Sequence, residues 1–296
     1  MTSGKGKTIL FCDSGVGGAD LAATFIAALR SGAAFPEIGV VLFNAWLRPG
    51  EGFNQLPSMP EKIRALEAVT KGVSAIGADR VVFACNTIST IWHEAPALRR
   101  SAGFFPAEML VPAADFLAGK WQESPGSDVL IAGTATTVET ALYPAMLAAR
   151  GVPPGKIRSV PCPGLATQIE YAPDGPRVRT MIVECAHRAA ASFSRAPRRL
   201  LLALCCTHFG YATAWKEIFS DFFDDVEVLN PNAAAVASFL GEWKGGFSPR
   251  ISVEFRTRVE FPAFKAEALA SALGNRAPEV VRALFSPRRD PALFNF

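Results

Sequence analysis

Two short segments, Cys85-Asn86-Thr87 and Cys206-Thr207-His208, each close an apolar run, Val81–Ala84 in the first case and Leu201–Cys205 in the second. A thiol titrates near neutrality and can carry a proton to or from a substrate, because cationic neighbours, helix N-termini or donor hydrogen bonds readily favour its thiolate. Each run reads as a buried strand handing over to polar groups at its carboxyl end, the edge at which open parallel sheets bind ligands. The matched pair points to one active site with two facing thiols.

The strands that must position these thiols come in a repeated order. Ile9-Leu10-Phe11-Cys12 precedes Asp13-Ser14-Gly15, and Val129-Leu130-Ile131-Ala132 precedes Gly133-Thr134. A shift of 120 residues superposes Asp13-Ser14 on Gly133-Thr134 without a gap and lays Cys85-Asn86-Thr87 on Cys205-Cys206-Thr207. An internal duplication of an α/β unit explains this. The expected fold is α/β: two similar three-layer α/β domains related by a pseudo-twofold duplication, with the active site in the cleft between them. Residues 1–106 and 212–296 are assigned to the first domain and 107–211 to the second. Helical spacing of Ile63, Leu66, Val69 and Val73 predicts a helix over 61–76, Ala107–Pro112 is read as a crossover strand, and 251–259 alternates as a strand. Residues 276–296, with Pro287 and Pro291, read as a peripheral tail.

Composition narrows the classes. Of 296 residues, 50% are hydrophobic and 19% charged, which suits well-buried parallel sheets and excludes a disordered chain. A net charge of +3, with basic pairs only at Arg99-Arg100, Arg198-Arg199 and Arg288-Arg289, leaves no nucleic-acid footprint. Asp13 cuts the N-terminal apolar stretch below signal-peptide length, and no run reaches a membrane span, so a cytoplasmic protein without membrane contact is expected. The six cysteines read as thiols of a reducing compartment rather than a disulfide framework. Gly15-Val16-Gly17-Gly18 opens a helix and offers backbone N–H groups to an anion, yet it lacks the lysine of a phosphate loop and the dinucleotide spacing. With only His93, His187 and His208, and no paired CxxC motifs, no metal is expected, and nothing suggests a pyridoxal lysine; the expected cofactor is none.

Asp13-Ser14-Gly15-Val16-Gly17-Gly18, Ala84-Cys85-Asn86-Thr87 and Cys206-Thr207-His208, in this order and spacing, resemble glutamate racemase of the cofactor-independent aspartate/glutamate racemase superfamily. Gly133-Thr134 with Thr137-Val138 and Tyr143, and Cys162-Pro163 followed by Glu170, also fit; the resemblance spans roughly residues 8–272. It implies Cys85 and Cys206 as acid/base groups on opposite faces of a substrate Cα, since inversion needs one group to remove the α-proton and another to deliver one from the far side. It further implies Asp13 beside Cys85, and Glu170 with His208 beside Cys206, as aids to proton transfer or holders of the substrate ammonium. Ser14, Asn86, Thr87, Thr134, Thr137 and Thr207 become neutral donors for carboxylates. The implied role is supply of D-glutamate for peptidoglycan. The implied partner is a small amino acid or dicarboxylate, and a homodimer is left open.

Departures from the family lie where the side chain would be read. The usual Asp after the second strand and the following Pro-Tyr-Gly loop are replaced by Asn44-Ala45-Trp46-Leu47-Arg48-Pro49-Gly50-Glu51-Gly52-Phe53-Asn54, and Phe209-Gly210-Tyr211 stands for Tyr-Pro-Leu. Arg48 is a candidate for a distal carboxylate, since a guanidinium binds carboxylate through two donors. Another acidic substrate such as aspartate, or a catalytically silent dicarboxylate-binding protein, therefore stays open, whereas a decarboxylase of this superfamily resembles a racemase lacking one cysteine. The ungapped repeat selects Cys205 as partner of Cys85 while the Cys-Thr-His order selects Cys206; adjacent strand residues point to opposite faces, so only one can meet a substrate. Cys12 and Cys185 read as core.

Overall fold

A computed structural model describes residues 6–296. The chain runs through β1 (Lys7–Asp13), α1 (Gly18–Leu29), β2 (Glu37–Asn44), α2 (Met59–Ile76), β3 (Arg80–Phe83), α3 (Asn86–Glu94) and α4 (Pro96–Ser101). It continues through α5 (Leu110–Glu123), β4 (Asp128–Gly133), α6 (Ala135–Glu139), α7 (Leu142–Ala148), β5 (Ile157–Pro161), α8 (Leu165–Ile169), α9 (Pro176–Ala191), β6 (Leu200–Cys205), α10 (Trp215–Ser220) and β7 (Val226–Leu229). The last elements are α11 (Asn232–Leu240), β8 (Arg250–Thr257), α12 (Ala263–Leu273), α13 (Pro278–Phe285) and β9 (Arg288–Arg289). Among the described residues no helix is long and apolar enough to cross a membrane.

Of the described residues, 6–109 and 235–296 form one compact unit. Its five strands lie in the order β3-β1-β2-β8-β9, all parallel. Parallel strands need helices on their faces, and α2 shows how the sequence provides one. Ser58 caps it by accepting from the Glu61 N–H while donating to the Glu61 carboxylate at 2.7 Å, Pro60 fits the first turn, and Gly77 at φ +68° ends it. Between these signals Ala65, Leu66, Val69 and Val73 form one buried stripe against Leu10, Phe43, Val81 and Phe83 of the sheet.

The second unit, residues 110–234, holds four parallel strands in the order β5-β4-β6-β7. Its core gathers Val129, Ile131, Leu201 and Ala203 from the strands with Leu110, Leu117, Tyr143 and Leu147 from the helices. The boundary at 234 corrects the expected one at 211. Val226–Leu229 pairs with Leu200–Ala203, so the chain owes another strand to this unit before it returns. Ala107 makes only an isolated bridge to Val82, and residues 110–123 are helix rather than strand, because Leu110, Ala113, Leu117 and Ala118 follow a helical period and Pro112 is tolerated in a first turn. The expected peripheral tail contains α13 and sends Leu293 and Phe294 into the first unit's core.

Strand register resolves the repeat. Cys12 pairs with Phe83 in one sheet and Ala132 with Leu204 in the other. With Cys12 and Ala132 equivalent, Phe83 matches Leu204, and two residues further Cys85 matches Cys206. Backbone angles agree: Cys85 sits at φ −149°, ψ 125° and Cys206 at φ −147°, ψ 130°, each opening a helical turn. The second half carries one more residue between β4 and β6 than the ungapped shift allows, and Cys205 is the equivalent of Ala84.

Candidate active site

In the first unit the expected residues gather at the carboxyl edges of the adjacent strands β1 and β3. Asp13 ends β1, buried, and its Oδ1 accepts the Gly15 N–H at 2.6 Å, which folds the chain into the tight turn before α1. That turn places the Ser14 hydroxyl 3.1 Å from the Cys85 thiol. Cys85 is the N-cap position of α3, so Asn86 and Thr87 form the first turn of that helix, both buried. Burial, and next the Asp13 charge, push the Cys85 thiol up to about 12, with the Ser14 hydrogen bond pulling the other way. This thiol therefore rests protonated.

The loop after β2 closes on the same residues. Asn44 donates to the Gly15 carbonyl at 3.1 Å and accepts from the Trp46 N–H at 2.9 Å. Asn54 donates to the Thr87 hydroxyl at 3.3 Å. Gly52 lies so close to Ser14 that an added Cβ would collide with the Ser14 carbonyl oxygen. Arg48 is not part of this group: its side chain is 80% exposed and faces Glu51 at 3.4 Å. A short hairpin within the loop pairs these two residues, which supplies the local carboxylate that the guanidinium takes.

In the second unit the expected residues gather at the edges of β4, β5 and β6. Thr134 caps α6 by accepting from the Thr137 N–H, and the two hydroxyls lie 3.1 Å apart. Glu170 follows α8 and meets His208 Nε2 at 2.8 Å; His208 Nδ1 lies 3.9 Å from the Cys206 sulfur. Cys206, Thr207, His208 and Glu170 are all buried. Burial opposes a charged imidazole, but the hydrogen bonds to Cys206 and Glu170 outweigh it and hold His208 well above its ordinary value. The charged ring thus stands between sulfur and carboxylate, one nitrogen toward each, in a Cys206–His208–Glu170 relay.

Cys205 points away from this relay into the core, where burial raises its thiol far out of reach of neutral pH and the Tyr143 hydroxyl is its hydrogen-bond partner. The expectation of six free thiols is corrected at Cys162 and Cys185, which are disulfide-bonded. Cys162 directly follows β5 and Cys185 lies on the buried face of α9, with Cα atoms 5.9 Å apart, within the span a disulfide bridges. Three residues that touch the site or its supports were missed: Asn232, Arg258 and Lys265. Asn232, for instance, donates to the Thr207 carbonyl at 3.4 Å, and Asn230-Pro231-Asn232 reads as a turn with no sequence signal of that contact.

Parallel α/β units whose carboxyl edges carry an equivalent cysteine define the fold class. The chain has the two-domain α/β fold of the glutamate racemases. The enzyme from Bacillus anthracis matches with TM-score 0.65 and 18% identity, over 90% of this chain and 94% of that one. The Francisella tularensis enzyme in complex with D-glutamate matches with TM-score 0.65 and 20% identity, over 90% and 93%. The Escherichia coli enzyme, in complex with L-glutamate and the activator UDP-MurNAc-Ala, matches with TM-score 0.62 and 21% identity, over 92% and 96%. No protein-family model and no curated protein sequence matches the chain.

Proposed function

We propose that this protein is a cofactor-independent amino-acid racemase, with glutamate as substrate and D-glutamate for peptidoglycan as product, working in the cytoplasm. The observation that carries the reading is the register equivalence of Cys85 and Cys206, each provided with its own proton-handling partners. Racemisation needs two such groups on one Cα. Cys85, held protonated beside Ser14, starts as the acid. Cys206, beside the charged imidazole of His208 that Glu170 steadies, starts as the base. After one turnover the roles are exchanged, and the opposite enantiomer meets the site it requires. Ser14, Asn86, Thr87, Thr134, Thr137 and Thr207 leave the negative charge on the substrate and stabilise the carbanion as it develops through preorganised neutral donors. Asp13 adds its charge to the effect of burial on the Cys85 thiol, which keeps the proton on sulfur until the substrate takes it and makes the thiolate left behind the stronger base for its recovery.

Solved structures of the same fold hold D-glutamate or L-glutamate, which supports that substrate. One observation favours a second acid: the loop that closes on Ser14 and Thr87 carries Trp46, Gly52 and Asn54 and has no tyrosine. Aspartate is the alternative it admits. Circular dichroism of the purified protein with L-glutamate, L-aspartate and a neutral amino acid tests both readings. Decay of the glutamate signal to zero is expected; decay for aspartate alone selects the alternative, and no decay for any amino acid leaves a dicarboxylate-binding protein.

A further inference from the structure

The loop at 44–54 touches Ser14 and Thr87 from one side, and the other side of the same loop rests on two cations supplied from far along the chain. Arg258, just beyond β8, donates through Nη1 to the Leu47 carbonyl at 3.3 Å and to the Phe296 carbonyl at 3.4 Å. Its guanidinium lies 5.0 Å from the centre of the Phe294 ring, and Phe294 in turn stacks on Phe43 of β2 at 5.9 Å. Lys265 in α12, only 1% exposed, holds its ammonium 4.4 Å from the centre of the Trp46 ring, whose other neighbour is Phe261 at 5.6 Å. A desolvated ammonium over an indole face is among the stronger forms of this contact. Inside the loop Leu47 N–H donates to Glu51 O at 2.8 Å, so what fixes Leu47 also fixes the strand of chain leading to Gly52 and Asn54.

We propose that Arg258 and Lys265 are positioning residues that clamp the 44–54 loop through Leu47 and Trp46, and thereby set how firmly Gly52 and Asn54 present Ser14 and Thr87 to the substrate. Neither cation touches the reacting atoms. The C-terminal segment is thus a working part of the site, since Phe294 and Phe296 hold the Arg258 side chain in place. The role in substrate seating rests on the racemase reading; the clamp itself does not.

Arg258→Met keeps the length of the side chain and removes its donors and charge, Arg258→Lys restores the charge, and Lys265→Met tests the second contact independently should the first variant fail to fold. Amide hydrogen exchange of the intact protein is expected to accelerate at least tenfold in the peptide covering 45–54 of Arg258→Met, with β1 and β3 unchanged and Arg258→Lys intermediate. The same variant is expected to raise KM for the acidic substrate about tenfold while kcat stays within twofold. Unchanged loop exchange in both Met variants overturns the clamp. Exchange that accelerates evenly through β1, β3 and the loop overturns it too, because the residues then serve general stability. A loosened loop with unchanged KM overturns the seating role. If the wild-type protein turns over no amino acid, the racemase reading has failed and the exchange data alone decide the clamp.

Discussion

At the scale of single residues, Cys85 and Cys206 stand apart from the other thiols by the hydroxyl and the imidazole beside their sulfur atoms. Cys85→Ala and Cys206→Ala are each expected to lower the racemisation rate by about 10²–10⁴-fold, the usual contribution of a positioned acid or base, whereas Cys205→Ala retains most activity. Rates from circular dichroism check this; equal loss in the Cys205 and Cys206 variants contradicts the register argument. Asp13→Asn removes the charge that raises the Cys85 thiol, so more thiolate forms and iodoacetamide labels Cys85 several times faster at pH 8, while turnover falls. Peptide mapping of the labelled protein reads the first effect. His208 has a folded value raised above its ordinary 6.5, so its contribution to stability is complete below that value and is lost as pH rises through the folded one. Glu170→Gln weakens that support; the stability lost relative to wild type, measured by urea unfolding, is expected to be larger at pH 6 than at pH 9. Much of this site is legible in the sequence because Asp-Ser, Cys-Asn-Thr and Cys-Thr-His are contiguous with strand ends. Asn232 and Lys265 are not, since only the folded chain brings them to Thr207 and Trp46.

At the scale of elements, what the sequence conceals is set by tertiary pairing. The helix at 59–76 is written into a cap, a buried stripe and a terminal glycine, and it stands as read. The strand at 226–229 is only four residues long, and nothing local tells which sheet it joins; its pairing with β6 moves the domain boundary from 211 to 234. The disulfide between Cys162 and Cys185 was equally hidden, since composition cannot show that the end of β5 and the inner face of α9 come together. The last residues read as a tail because two prolines interrupt them, yet Phe294 is buried against Phe43, and Gly72 of α2 leaves room for the Leu293 backbone. Phe294→Ala is therefore expected to cost about 3–5 kcal/mol, the range for a buried phenylalanine, where a solvated tail residue would cost nearly nothing. Urea unfolding distinguishes the two; a change under about 0.5 kcal/mol, the range of surface substitutions, means the segment is peripheral after all.

At the scale of the whole molecule, the duplicated α/β unit carries one of two register-equivalent cysteines in each copy, with different neighbours at each sulfur. The repeat in strand order is the trace of that duplication: β3-β1-β2 in one unit matches β6-β4-β5 in the other, and the extra strands join opposite sides, β8 beside β2 and β7 beside β6. On the proposed mechanism, the asymmetry between Ser14 and Asp13 on one thiol and His208 and Glu170 on the other gives one acid and one base at any moment. That claim is tested most directly by racemisation of glutamate in deuterium oxide, with the α-position of each enantiomer followed by mass spectrometry at low conversion. Two bases predict that solvent deuterium appears in the product enantiomer while the recovered substrate keeps its α-proton. Deuterium in the recovered substrate at the same rate as in the product would mean that one group serves both faces, and would contradict the account.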